Sequence, residues 1–111
     1  VRLAQELEEC VLLLGVSSDK AADQMIQVLA PKAREIILTQ FTGPRALPID
    51  RLCEAAGPLR YHRTLQLADA LDLGMRLASK DLPLVITGSI FLAGEARRLL
   101  IERYGAKPLQ F

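Results

Sequence analysis

The stretch Leu82-Pro83-Leu84-Val85-Ile86-Thr87-Gly88-Ser89 leads directly into a helical pattern, Ile90–Tyr104, and the rest of the chain repeats or supports this strand, turn and helix. A short apolar run bounded by turn residues predicts a strand buried on both faces. Gly88 allows the backbone to turn sharply, and Ser89 can cap the helix that follows. In a parallel sheet such a junction lies at the carboxyl ends of the strands, where ligands bind.

Composition limits the class of protein. The chain has 111 residues, half of them apolar, but its apolar runs are far shorter than the roughly 20 residues that cross a bilayer. Fourteen basic and thirteen acidic residues are interspersed, which leaves no electrostatic footprint for nucleic acid or anionic lipid. Cys10 and Cys53 are expected to be buried free thiols of a reducing, cytoplasmic compartment. We therefore expect one soluble domain over residues 1–111, with no nucleic-acid or membrane partner.

Strand and helix patterns alternate along the chain. Strands are predicted at residues 11–16, 34–39, 59–63 and in the stretch quoted above; helices are predicted at residues 1–9, 22–29, 48–56, from a cap at Thr64 to about Lys80, and at 90–104. Such alternation is typical of right-handed crossovers between parallel strands. The fold class is therefore α/β: a three-layer, Rossmann-like domain with a mostly parallel sheet of about four strands and helices on both faces. The polar third strand is expected at a sheet edge.

Three polar loops are expected to meet at one edge of that sheet, because parallel strands all end on the same side. The loops are residues 17–20, 40–45 and 87–89. Each leads into the start of a helix, where free amides and the helix dipole stabilise an anion by about 0.3–1 kcal/mol. Lys20 and Arg45 add positive charge. The sequence therefore predicts a site for a carboxylate or a phosphate.

Each polar residue of these loops also has a purely structural interpretation. Lys20 can be a solvated first-turn lysine, and Asp19 and Ser89 can be helix caps. Arg45 can brace its own loop, and His62 is expected on the surface of the edge strand. The sequence contains no phosphate loop, dinucleotide fingerprint, nucleophile elbow or Cys/His metal spacing. No catalytic residue and no metal ligand is therefore predicted.

Several short motifs occur in one order along the chain, namely Gly15-Val16-Ser17-Ser18-Asp19-Lys20, Met25, Ile37-Leu38-Thr39, Gly43-Pro44-Arg45-Ala46 and Val85-Ile86-Thr87-Gly88-Ser89-Ile90-Phe91-Leu92-Ala93-Gly94-Glu95. Their combination resembles the carboxy-terminal domain of folylpolyglutamate synthase/dihydrofolate synthase, a family of the Mur ligase superfamily. The resemblance covers essentially the whole chain. Its specificity lies in the combination of Asp-Lys, Pro-Arg-Ala and Thr-Gly-Ser with the Gly-Glu pair that ends six residues after the serine.

The resemblance implies an ATP-dependent, ADP-forming ligase that adds glutamate to folate or dihydropteroate through an acyl phosphate, with Mg²⁺ neutralising the phosphates. In this scheme Lys20 would pair with a carboxylate of the incoming glutamate, and Ser89 with its neighbouring amides would hydrogen-bond one. The supporting positions are Asp19, Arg45, Thr87 and Gly88. The resemblance assigns Arg45 no specific role.

The sequence departs from the family pattern at its beginning. The strand and the Asp-Gly-Ala-His-Asn-Pro turn that open the family's domain are not found, nor are the central domain's phosphate loop and magnesium ligands. The spacing of Leu3, Ala4 and Leu7 also begins inside a helix. We therefore expect an amino-terminally truncated domain. ATP and Mg²⁺ would be bound mainly outside it, by an amino-terminal ATPase domain of the same chain.

A stand-alone small-ligand-binding or regulatory module, such as a receiver-like domain, is the alternative that chain length and alternating elements leave open. A receiver needs an acidic cluster after its first strand and an acceptor aspartate after a later one. Here the second and fourth strands end in Gln40-Phe41 and Gly88-Ser89. If the chain belongs to a ligase, the sequence leaves open whether that enzyme adds the first glutamate, later ones, or both.

Overall fold

The computed structural model describes residues 9–105 and places four strands between two pairs of helices. The strands are β1 Cys10–Leu14, β2 Ala33–Gln40, β3 His62–Gln66 and β4 Leu84–Thr87; the helices are α1 Ala22–Leu29, α2 Ile49–Ala56, α3 Leu67–Leu77 and α4 Ile90–Tyr104, with a 3₁₀ turn at Ala30–Lys32. The helix predicted for residues 1–9 lies, apart from Glu9, outside the described residues. No described helix is both long enough and apolar enough to cross a membrane.

All strands of the sheet run parallel, in the order β3-β2-β1-β4. All five residues of β1 are buried, so this strand needs apolar cover on both faces and takes an inner position. α1 and α2 cover one face of the sheet, and α3 and α4 cover the other. The predicted three-layer α/β fold is confirmed.

Two cores form because successive residues of a strand point to opposite faces. The α1/α2 core includes Leu12, Leu14, Ile26, Leu38 and Leu52, and the α3/α4 core includes Val11, Leu13, Ile37, Leu71 and Leu92. Each buried side chain of this kind contributes about 1.5–3 kcal/mol relative to an exposed one. Packing in the two cores holds the strands in place, and the polar loops lie at the carboxyl edge of these strands.

The stretch that predicts the fold is less buried than expected. All four residues of β4 are only half-buried, so the prediction of a strand buried on both faces is wrong. Among the described strands, β4 pairs only with β1 and lies at an edge of the sheet. The third strand is an edge strand as predicted, but it begins at His62 rather than Leu59.

Thr64 is part of β3 and does not cap a helix, which corrects the sequence prediction. Its Oγ1 donates a hydrogen bond to the carbonyl oxygen of Leu38 on β2, at 3.1 Å. Because the neighbouring strand satisfies this hydroxyl, α3 begins three residues later, at Leu67, without a side-chain cap. It ends at Leu77, before the predicted limit near Lys80.

The two cysteines are free thiols, as predicted, but they differ in burial. Cys10 is buried and Cys53 is half-buried. The Cys10 Sγ donates to the carbonyl oxygen of Lys32 at 3.5 Å, and burial raises the pKa of this thiol.

The carboxyl ends of β1 and β4 approach closely through two glycines. Gly88 has a φ of 117°, and a Cβ placed there would overlap the carbonyl oxygen of Gly15 and lie 2.9 Å from Leu14 Cδ1. Only glycine fits both the backbone conformation and the space. The strand-to-helix turn therefore depends on Gly88.

We expect Gly88→Ala to lower the free energy of unfolding by about 2–3 kcal/mol, since it combines left-handed strain with a backbone clash. Urea denaturation of the two proteins would measure the difference. Gly94→Ala is the control, because nothing lies within 4 Å of its Cβ position and alanine favours a helix by about 1 kcal/mol. Equal stability of Gly88→Ala and the unsubstituted chain would contradict the assignment.

Candidate functional site

The three polar loops meet at the carboxyl edge of the sheet, as predicted from the parallel strands. The Oγ atoms of Ser17 and Ser89 lie 3.1 Å apart, although the two residues are separated by 72 positions in the sequence. The backbone nitrogen of Ser18 donates to the carbonyl oxygen of Arg45 at 2.8 Å. The loops after β1, β2 and β4 therefore form one surface.

Ser89 caps α4, as its position in the sequence predicts. Its Oγ accepts a hydrogen bond from the backbone nitrogen of Phe91 at 3.1 Å. The contact between Ser17 and Ser89 uses one of their two hydroxyl protons, so the pair keeps a second proton to donate. Together with the amino-terminal amides of the fifteen-residue α4, this hydroxyl pair suits a carboxylate oxygen.

Lys20 is exposed and lies in the turn that connects β1 to α1. Its backbone nitrogen donates to the carbonyl oxygen of Ser17 at 3.1 Å. Its side chain lines an open groove of about 750 Å³ between α1 and α2, together with Ala21, Ala22, Asp23, Leu47, Pro48, Arg51, Glu54 and Ala55. Ser89 does not line this groove, and simultaneous contact of one glutamate with Lys20 and Ser89 stays a prediction.

Asp19 does not cap α1, and Lys20 does not lie in its first turn; both structural interpretations are wrong. The helix begins at Ala22, and its N-cap residue Ala21 makes no side-chain cap bond. The turn closed by Ser17 and Lys20 delays the start of the helix, which places Asp19 too early to cap it. Asp19 is exposed beside Lys20, and its supporting role stays a prediction.

Arg45 braces its loop, which is the structural interpretation of this residue. Its guanidinium carbon lies 5.4 Å from the ring centroid of Phe91, in a cation–π contact. Phe91 also stacks on buried Phe41, with a centroid distance of 6.1 Å and an interplanar angle of 19°. The loop between β2 and α2 is thereby packed against the start of α4.

Glu95 makes a contact that sequence reasoning missed. Its Oε1 accepts from the backbone nitrogen of Thr42 at 2.8 Å, and its Oε2 accepts from Thr42 Oγ1 at 3.0 Å. In the sequence, Gly94-Glu95 forms part of a motif, and the motif assigns Glu95 no function. A carboxylate on the second turn of a helix gives no local sign of a partner 53 positions away.

The remaining polar candidates lie away from this surface or have local partners. His62 is half-buried on β3, and its Nε2 lies 3.1 Å from Glu35 Oε1. Gln40 Oε1 accepts from the backbone nitrogen of Ile49 at 2.9 Å and so serves the start of α2. Within residues 9–105, no group of three or more His, Cys, Asp or Glu side chains could hold a metal ion. These residues do not fit a Mg²⁺ site, and we assign no step to a metal on them.

Comparisons with known proteins place the chain in an enzyme family. No family model matches it. The dihydrofolate synthase/folylpolyglutamate synthase of Mycobacterium tuberculosis is 34% identical over 78% of this chain. The structure of Mycobacterium tuberculosis folylpolyglutamate synthase complexed with ADP and AMPPCP matches 93% of the chain, with a TM-score of 0.75 and 32% identity.

A bifunctional folylpolyglutamate synthase/dihydrofolate synthase from Yersinia pestis, complexed with AMPPNP and a Mn ion, shares the fold. It matches 89% of this chain with a TM-score of 0.75 and 22% identity. The chain spans 21% of the Mycobacterium tuberculosis relative and 25% and 24% of the two solved chains. The chain is therefore homologous to the folylpolyglutamate synthase/dihydrofolate synthases and spans about a quarter of their length.

Proposed function

We propose that this chain is the glutamate-binding domain of an ATP-dependent, ADP-forming amide ligase that adds glutamate to folate or dihydropteroate. One observation carries the proposal: in a chain homologous to folylpolyglutamate synthases, the loop that bears Lys20 meets the capped start of α4 through the 3.1 Å contact of Ser17 and Ser89. A cation and an amide-rich helix start thus lie in adjoining loops. Such a pair suits an amino acid with two carboxylates.

The proposed reaction forms an amide bond through an acyl phosphate. ATP supplies the phosphoryl group that activates the carboxylate of folate or dihydropteroate. The amine of glutamate attacks the activated carbonyl carbon, the carbon–oxygen bond to phosphate breaks, and phosphate leaves. The task of this chain is to hold glutamate with its amine directed at that carbon, because correct orientation removes much of the entropic barrier.

Each site residue has a defined task in this proposal. The ammonium group of Lys20 pairs with one carboxylate of glutamate, and charge-assisted bonds of this kind contribute about 1.5–3 kcal/mol. Ser89, supported by Ser17, donates to the other carboxylate. Asp19 orients the Lys20 loop, and Arg45 braces the neighbouring one. Thr87 and Gly88 form the turn that presents Ser89.

The domain is proposed to act within a longer, cytoplasmic ligase. Because the chain spans only about a quarter of its relatives, the nucleotide site is assigned to an amino-terminal ATPase domain of the same chain. ATP and Mg²⁺ would be bound mainly there. Residues 1–111 would then belong to a Mur-ligase-type carboxy-terminal domain. Within residues 9–105, no contact at the sheet edge favours the receiver-like alternative.

In the full-length ligase, Lys20→Ala should raise the KM for glutamate by about tenfold or more and leave the KM for ATP within about twofold. The substitution removes the proposed ion pair between Lys20 and glutamate, whereas ATP is proposed to bind elsewhere. Steady-state kinetics with each substrate varied in turn would measure both constants. Lys80→Ala is the matched control, since Lys80 is exposed and lies before β4, away from the carboxyl edge. Equal effects on both substrates would contradict the assignment.

Ser89→Asp separates binding from capping. Aspartate is a good N-cap and suits the helix dipole, so the thermal midpoint should stay within about 2 °C. Its negative charge would occupy the position proposed for a glutamate carboxylate, and the KM for glutamate should rise by more than about tenfold. Thermal unfolding and glutamate-dependent kinetics are the measurements. Unchanged glutamate kinetics in a stable Ser89→Asp enzyme would show that Ser89 is only a cap.

The isolated 111-residue chain should have no synthase activity. With ATP, Mg²⁺, glutamate and a folate or dihydropteroate substrate present, a coupled assay should detect no ADP release, because the nucleotide site is assigned elsewhere. The full-length ligase in the same assay is the positive control. Synthase activity from this chain alone would refute the assignment of the nucleotide site.

A further inference from the structure

The loop of residues 41–46, called here the 41–46 loop, is fixed to α4 at several points. Glu95 accepts two hydrogen bonds from Thr42, at 2.8 and 3.0 Å. The ring of Phe91 contacts Phe41 at the start of the loop and Arg45 near its end. Both carboxylate oxygens of Glu95 take part in its contact with Thr42.

The 41–46 loop in turn supports the loop that bears Lys20. The carbonyl oxygen of Arg45 accepts from the backbone nitrogen of Ser18 at 2.8 Å, and Ser17 and Ala46 form an antiparallel bridge. Lys20 is joined to the same turn through its bond to the carbonyl oxygen of Ser17. A movement of the 41–46 loop would therefore move the backbone of Lys20.

The chain of contacts closes on α4, where it began. Ser17 contacts Ser89 at the first turn of this helix, and Glu95 lies on the second turn. α4 thus carries both Ser89 and the carboxylate that fixes the loop supporting Lys20. The positions of Lys20 and Ser89 therefore both depend on contacts with α4.

We propose that Glu95 is a positioning residue of the glutamate site, which holds Lys20 at the correct distance from Ser89 through Thr42 and the 41–46 loop. The proposal rests on the proposed function, because it concerns the same glutamate site. Thr42 is exposed, and hydrogen bonds at an exposed position add little to stability. Loss of the contact should therefore change glutamate binding more than folding.

Three substitutions in the full-length ligase test this proposal. Glu95→Ala should raise the KM for glutamate by about tenfold, with the KM for ATP within about twofold and the thermal midpoint within about 2 °C. Glu95→Gln should stay within about twofold of the unsubstituted enzyme, because its amide can accept from the Thr42 nitrogen and donate to Thr42 Oγ1. Glu102→Ala is the control on the same helix, where Glu102 pairs only with Arg98 among the described residues.

The proposal is overturned if Glu95→Ala binds glutamate normally, if it raises both KM values equally, or if Glu95→Gln is as impaired as Glu95→Ala. Lys20→Ala measured in parallel distinguishes failure of the positioning role of Glu95 from failure of the glutamate site itself. If Lys20→Ala raises the KM for glutamate and Glu95→Ala does not, only the positioning role fails. If Lys20→Ala has no effect on glutamate, the glutamate site itself fails, and the role of Glu95 fails with it.

Discussion

The buried central strand is the constraint on which the rest of the structure depends. All five side chains of β1 are buried, so apolar layers must cover the sheet on both faces. Crossover helices supply those layers and keep the strands parallel. Parallel strands end on one side, and this alone gathers three polar loops at one edge. The candidate site is thus a consequence of how the core is covered.

The same edge is shaped by the close approach of two glycines. Gly88 lets the ends of β1 and β4 lie nearer than a side chain would allow, because a Cβ there would overlap the carbonyl oxygen of Gly15. The residues that follow the two glycines then meet. Ser17 is nearly buried, at 8% exposure, and its hydroxyl contacts that of Ser89. A hydroxyl pair held by two strand ends loses little further entropy on binding a ligand, which favours affinity.

The sequence predicted those features that depend on local patterns. The helix Ile90–Tyr104 and its Ser89 cap have the predicted bounds and contact, because a strand, a glycine and a capping serine form one local signal. Thr64 and Asp19 were misassigned for the opposite reason. A residue of a type that often caps helices shows only that a cap is possible at that position. Thr64 instead bonds to a neighbouring strand, and after Asp19 a turn delays the start of the helix to Ala22.

The position of β4 and the role of Glu95 required the three-dimensional structure. An apolar run cannot show whether a second strand lies beyond it, so β4 was expected to be buried and is an edge strand among the described residues. The pairing of Glu95 with Thr42 joins elements that are distant in sequence. The burial of β4 and the partner of Glu95 both depend on contacts between elements, and hydrophobic periodicity predicts elements but not the contacts between them.

In the proposed ligase, this domain would bind a small, doubly charged ligand with exposed groups, because rigid elements place its charges. Lys20 is exposed, and alone it would give a weak and poorly directed contact. Its backbone, however, is joined to the 41–46 loop, which α4 holds through Glu95 and through the ring of Phe91. In the proposed ligase, the charge that attracts glutamate and the amides that orient it would then share one support.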